Sequence, residues 1–214
     1  MSQLELQQAL ARILWIGGAP DSGKTSVAEA LATKYGLQLY SFDEHAESYW
    51  LNHFSKDPSS HGYGWMAKSW DERWVLQSPE SMIAEGLQIA QECFPVVLAD
   101  LLAMAKDAPV IAEGFELLPD LVAPVLASKG QAIGFLPTEA FQYDSFVRRG
   151  KPTFHGKATD PTRAARNHFA RDRLWAYYIR QQVLRHKLRL LEIDGSLALD
   201  EVITYTKDYF NLFG

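Results

Sequence analysis

The sequence predicts an α/β fold, a parallel sheet with helices on both faces, and three observations carry that prediction. Five short apolar runs, at 13–16, 37–42, 109–112, 131–136 and 190–193, have the length and unbroken apolar character of strands buried on both sides. Helical patterns lie between them, the alternation that builds a parallel sheet. The glycine-rich stretch Gly17-Gly18-Ala19-Pro20-Asp21-Ser22-Gly23-Lys24-Thr25-Ser26 follows the first run directly and opens the first of those helices. A chain of 214 residues, 47% of them hydrophobic, can bury one full core, so a single domain over 1–214 is expected.

The elements follow in order. After the first strand, 25–35 is rich in helix formers, sets Val27, Ala28 and Leu31 on one side, and stops at Gly36, a favoured residue just past a helix end. The region 44–77 breaks the alternation. It holds His45, Trp50, His53, His61, Tyr63, Trp65, Trp70 and Trp74, and reads as an insertion over the carboxyl edge of the sheet, where ligands of such folds bind. A hydrophobic mini-core accounts for its tryptophans equally well. Ser78-Pro79-Glu80 then starts a long helix, a capping serine followed by proline at the first helical position. Met82, Ile83, Leu87, Ala90, Phe94, Val97, Leu98, Leu101 and Leu102 give it an apolar stripe, and Pro95 should kink it or divide it in two. A further helix follows Pro137-Thr138-Glu139, and Ser196 is a candidate cap for the last one, with Asp200 and Glu201 in its first turns.

No apolar run is expected to span a bilayer, and Met1-Ser2-Gln3-Leu4-Glu5 lacks the basic and apolar regions of a secretory signal. The lone Cys93 rules out a disulfide within the chain and suits a reducing compartment, so a cytoplasmic protein without a membrane partner is expected, as a monomer or homodimer. Charge is unevenly spread. Residues 1–147 hold 8 Lys/Arg and 19 Asp/Glu, net −11, whereas 148–189 hold 12 and 2, net +10. Such a basic block points to an anionic partner or to a solvated helix face.

Gly18 to Thr25 matches G-x-x-x-x-G-K-[ST] in full, between a strand and a helix. The glycines let successive N–H groups converge on phosphate oxygens at the positive end of the helix. Gly18, Asp21, Ser22, Gly23, Lys24, Thr25 and Ser26 are therefore the expected phosphate-binding residues. Lys24 would reach the β- and γ-phosphates and Thr25 would offer its hydroxyl to Mg²⁺.

The order of this loop, Ser41-Phe42-Asp43 ending the second strand, Ile111-Ala112-Glu113-Gly114 ending the third, and a basic block before the last resembles a known group. It is the nucleoside-monophosphate-kinase-like branch of P-loop kinases, which includes adenylate, shikimate and gluconate kinases and chloramphenicol phosphotransferase. The likeness covers nearly the whole chain in layout and is highly specific only at the loop. It implies a P-loop NTPase fold of three α/β/α layers, a five-stranded parallel sheet in the order 2-3-1-4-5, and ATP with Mg²⁺ as cofactors. It also implies that Asp43 binds or deprotonates the acceptor and that Glu113 holds Mg²⁺ with Thr25. Capping of a following helix by Asp43, and a structural role for Glu113 in fixing the neighbouring loop, stay open. The same likeness makes about 149–170 a lid bringing arginines onto phosphate, Arg163 and Arg166 first, then Arg149, Arg171 and Arg173. The loop at Asp194-Gly195-Ser196 would lie beside adenine.

No Asn-Lys-x-Asp motif of small GTPases occurs, and the chain is too short for AAA+ lid and sensor elements. Three readings result. The first is a kinase passing the γ-phosphoryl group of ATP to the hydroxyl or phosphate of a small molecule bound by the aromatic insertion, with a hydroxyl favoured because Arg73 is the region's single arginine. The second is an ATP-binding regulatory switch. The third, a nucleic-acid end kinase using the basic block, is disfavoured by the acidic remainder and by the absence of an aromatic–basic RNA motif.

Overall fold

The computed structural model describes residues 2–149 and 154–212. Of the expected lid, residues 150–153 lie outside the described residues, as do the side chains of Arg149 and Phe154.

Five parallel strands, β1 (Ile13–Gly18), β2 (Gln38–Ser41), β3 (Val110–Glu113), β4 (Ala132–Pro137) and β5 (Arg189–Ile193), form one sheet in the order β2-β3-β1-β4-β5. This is the α/β fold and strand order expected. Around it run α1 (Gln3–Ala9), α2 (Lys24–Tyr35), α3 (Phe42–Asn52), α4 (His61–Ala67), α5 (Pro79–Met104), α6 (Pro119–Val122), α7 (Glu139–Arg149), α8 (Pro161–His186) and α9 (Leu199–Tyr209).

Side chains alternate across the strands, so each apolar run feeds two cores. Ile16, Ile111, Ile133 and Phe135 pack with Val27 and Leu31 of α2 and Val202 of α9. On the other face, Ile13, Trp15, Val110 and Ala112 pack with Cys93, Phe94, Val97 and Leu101 of α5. Trp175, Ile179 and Val183 of α8 continue this second layer, meeting Ala90 of α5 and Leu136 of β4.

One sequence expectation is narrowed and three are revised. Pro95 does not divide α5, which runs unbroken from Pro79 to Met104. Pro95 and Gln91 are both exposed, so the carbonyl that loses its N–H partner lies on the solvent side. The same helix is long and apolar enough to cross a membrane, with a hydropathy of 1.4 in its most apolar window, against the expectation of no such run. In this fold its apolar stripe lies in the cores just described. Ser196 does not cap α9. Its N–H and hydroxyl bond Asp194 Oδ1, and Ala198 occupies the cap position, its N–H donating to Glu201 Oε2 at 2.8 Å. Residues from 161 onward, read as lid, are already helical: Asp160 caps α8 by accepting from the Arg163 N–H at 2.9 Å, and Pro161 takes the first position. Arg171 and Arg173 thus sit well inside α8.

Candidate nucleotide-binding site

Parallel register brings the carboxyl ends of three strands together. Glu113 pairs with Ile16 on one side and Ser41 on the other, so the loop after β1, the start of α3 and the end of β3 meet at one edge. The loop after β1 turns through three residues with positive φ, Gly18 at 136°, Asp21 at 58° and Gly23 at 83°. A Cβ on Gly18 would lie 2.1 Å from the Phe135 carbonyl oxygen, which itself accepts from the Ala19 N–H at 3.0 Å. Gly23 takes the cap position of α2 in the left-handed region and, having no side chain, gives the helix's first N–H groups no side-chain cap. An anion has a place prepared there by those donors and the helix dipole.

Lys24 is buried, and its ammonium turns back onto the loop, donating to Ala19 O at 2.8 Å and to Ser22 Oγ at 3.4 Å. Burial holds its pKa below the ordinary lysine value, against the pull of Glu113, Asp43, Glu116 and Asp21. Glu113, buried at 2% exposure, accepts from Ser41 Oγ at 2.5 Å through Oε1 and from Thr25 Oγ1 at 3.2 Å through Oε2. Burial raises its pKa, opposed by the Ser41 bond and Lys24 and reinforced by Asp43. Asp43 lies in the first turn of α3, after the cap residue Ser41, so it does not cap that helix; it is exposed and lines the same cleft.

That cleft has a volume of about 810 Å³ and is bounded by loop residues 20–26, Asp43, Glu113, Phe115, His168 and Arg171. A second cleft, about 750 Å³, shares Ser22 and Gly23 with it and continues between Phe141, Asp144 and Arg148 of α7 and the 194–198 loop before α9. Together they suit a nucleoside triphosphate, phosphates at the loop and base beside Asp194 and Gly195. The Thr25 hydroxyl and Glu113 carboxylate are oxygen donors of the kind Mg²⁺ takes, and phosphate oxygens and water would complete its shell. Among the described residues, no group of three or more His, Cys, Asp and Glu stands ready to hold a metal with protein ligands alone.

The structure therefore brings Gly18, Asp21, Ser22, Gly23, Lys24, Thr25, Ser26, Asp43 and Glu113 to one place. Arg163 and Arg166 are exposed on α8 and line neither cleft. Arg171, two turns farther on, is the arginine at the phosphate cleft. Its Nε lies 2.7 Å from Asp172 Oδ1, and Asp172 also faces His168 Nε2 at 3.3 Å and accepts from Gln142 Nε2 at 2.9 Å. Burial drives His168 down to about 3, so its imidazole is neutral and supports this cluster without adding charge.

Topology and loop together define a P-loop α/β protein. No protein-family model matches the chain, and no curated protein sequence does. Among solved structures it is similar over 93% of its length to an uncharacterized protein from Eubacterium ventriosum, at 15% identity, 97% coverage of that chain and a TM-score of 0.44. A thymidylate kinase from Candida albicans aligns over 93% of this chain and 90% of its own, at 12% identity and a TM-score of 0.44. Neither likeness assigns an activity.

Proposed function

We propose that the chain is an ATP-dependent kinase for a small molecule. One observation favours this over a regulatory switch: a separate aromatic cavity, about 280 Å³, shares Phe115 and Arg171 with the phosphate cleft, so a second ligand has a site beside the donor's terminal phosphate. In this reading the loop amides and Lys24 hold the phosphates of the donor substrate, Lys24 exchanging Ala19 O for phosphate oxygen. Thr25 and Glu113 would hold a magnesium ion, which when bound would supply neutralising charge to the phosphate oxygens. The acceptor oxygen bonds to the γ-phosphorus as the bond to the bridging oxygen breaks, the electron pair leaving on ADP and the acceptor proton passing to Asp43. Arg171 steadies charge on the transferring group, fixed in place by Asp172.

The test is ADP formation from Mg·ATP across a panel of alcohols, nucleosides, sugars and phosphorylated metabolites, after a thermal-shift screen has picked those that stabilise the protein. Acceptor-dependent ADP release that Lys24→Ala abolishes, with the fold intact, is expected. Hydrolysis that no compound accelerates would instead favour the switch.

A further inference from the structure

The aromatic cavity has a composition that selects its occupant. Four indoles wall it: Trp50 of α3, Trp65 of α4, Trp74 from the π turn at Glu72–Leu76, and Trp175 of α8. Trp65 and Trp74 meet edge to face, centroids 5.6 Å apart at 87°. Gly86 of α5 lets Trp175 in: a Cβ there would stand 2.7 Å from the indole. At about 280 Å³ the space lies just below the range of drug-sized sites, enough for a single ring with a short arm.

Two charged groups line it, Glu116 and Arg171. Arg171 has its Nε on Asp172 and its guanidinium 5.2 Å from the centre of the Trp74 ring. Among the described residues lining the cavity, Arg171 is thus the single cation for a phosphorylated ligand, and it is already shared with Asp172 and the Trp74 ring. An organic cation fares no better. It would meet the Arg171 guanidinium in the same wall, and two of the four indoles already carry the protein's own cations, Arg171 over Trp74 and Arg73, at 5.4 Å, over Trp65. Two polar features remain, the buried indole N–H of Trp175, without a hydrogen-bond partner among the described residues, and Glu116. Its Oε2 is buried and has no hydrogen-bond partner among the described residues, a costly arrangement for a group that borders a cavity.

We propose that this cavity receives the phosphoryl acceptor as a neutral, single-ring alcohol, the ring among the tryptophans and a hydroxyl donating to Glu116 Oε2. The inference rests on the kinase reading for the word acceptor, and on the cavity alone for the chemistry of the ligand.

The test compares three compounds with one ring and different heads: 2-phenylethanol, 2-phenylethyl phosphate and 2-phenylethylamine. Binding is followed through the six indole N–H resonances of the nucleotide-free protein. The alcohol should shift Trp50, Trp65, Trp74 and Trp175 and leave Trp15 and Trp70 in place, with the charged heads at least about tenfold weaker. Glu116→Leu should erase the protein's preference for 2-phenylethanol over ethylbenzene, about tenfold or more, while ethylbenzene still binds, an outcome that a purely structural Glu116 would not give. If the leucine variant does not fold, Glu116→Gln replaces it and should change the same ratio. Absence of shifts at the four tryptophans, or tighter binding of the phosphate or the amine, overturns the proposal. Selective alcohol binding with no phosphorylation of any ring alcohol under Mg·ATP upholds the ligand class and removes the kinase reading. Phosphoryl transfer confined to charged acceptors does the reverse.

Discussion

Two glycines of one loop separate steric from conformational cost. Gly23→Ala places a methyl where nothing lies within 4 Å, so its penalty is that of a left-handed residue at φ 83°, about 1–2 kcal/mol. Gly18→Ala adds to a comparable backbone strain a Cβ at 2.1 Å, 2.6 Å and 2.9 Å from the oxygen, nitrogen and carbonyl carbon of Phe135. These are backbone atoms of the neighbouring strand, paired with Gly18 in register, and cannot rotate aside. Relief requires breaking the Ala19–Phe135 hydrogen bond and spreading β1 from β4, which puts the loss above about 4 kcal/mol. That is a large share of the roughly 5–15 kcal/mol that holds most domains together. Urea denaturation followed by tryptophan fluorescence and far-ultraviolet circular dichroism reads both. A Gly18→Ala protein within about 1 kcal/mol of wild type would refute the packing argument. A Gly23→Ala loss of similar size to that of Gly18→Ala would refute the separation of the two costs.

Further outcomes are expected at the site. Ser41→Ala should cost about 1.5–3 kcal/mol by removing the bond to the buried Glu113, measured by the same denaturation, and should weaken Mg²⁺-dependent ATP binding in calorimetry. Arg171→Lys keeps the charge but loses the Asp172 contact and the Trp74 stacking, so turnover should fall about 100-fold while Arg163→Ala and Arg166→Ala stay within about twofold. Equal losses at all three would return the lid arginines to the first rank. Burial, then the charge of Asp43, raises the Glu116 pKa well above the ordinary glutamate value. A raised folded-state pKa means the carboxyl lowers stability as pH climbs through and above the unfolded value, by about 1.4 kcal/mol per pH unit until the folded-state pKa is reached. Glu116→Gln should therefore gain stability over wild type at neutral pH and lose that advantage near pH 4.5, in paired denaturation curves. An advantage independent of pH would show that Glu116 is ionised without penalty.

The five strands were legible because buried parallel strands leave uninterrupted apolar runs, and each lies within two residues of its expected bounds. Their order came from resemblance, since pattern alone does not say which strand neighbours which. The phosphate loop is local and was complete in the sequence. Arg171 stood behind Arg163 and Arg166 in the sequence reading because the lid was drawn to about 170, across the Asp160-Pro161 start of α8. With that start in view the phase follows. Ala164, His168, Asp172, Trp175 and Ile179 are buried, and Arg163, Arg166, Arg173 and Tyr177 share the exposed side. The aromatic cavity draws on residues from 50 to 175, held together by tertiary packing that no local pattern encodes. Glu116 lies in Phe115-Glu116-Leu117-Leu118-Pro119, which the sequence already reads as a substrate-side turn entering a helix, but its unpartnered oxygen emerges only from the packing.

Helix α8 carries one guanidinium that borders two chambers. A ligand in either chamber alters the charge and solvation around that guanidinium, which the other ligand then meets, so donor and acceptor should not bind as strangers. Thermodynamic reciprocity fixes the bargain: the factor by which one tightens or loosens its neighbour must be returned unchanged.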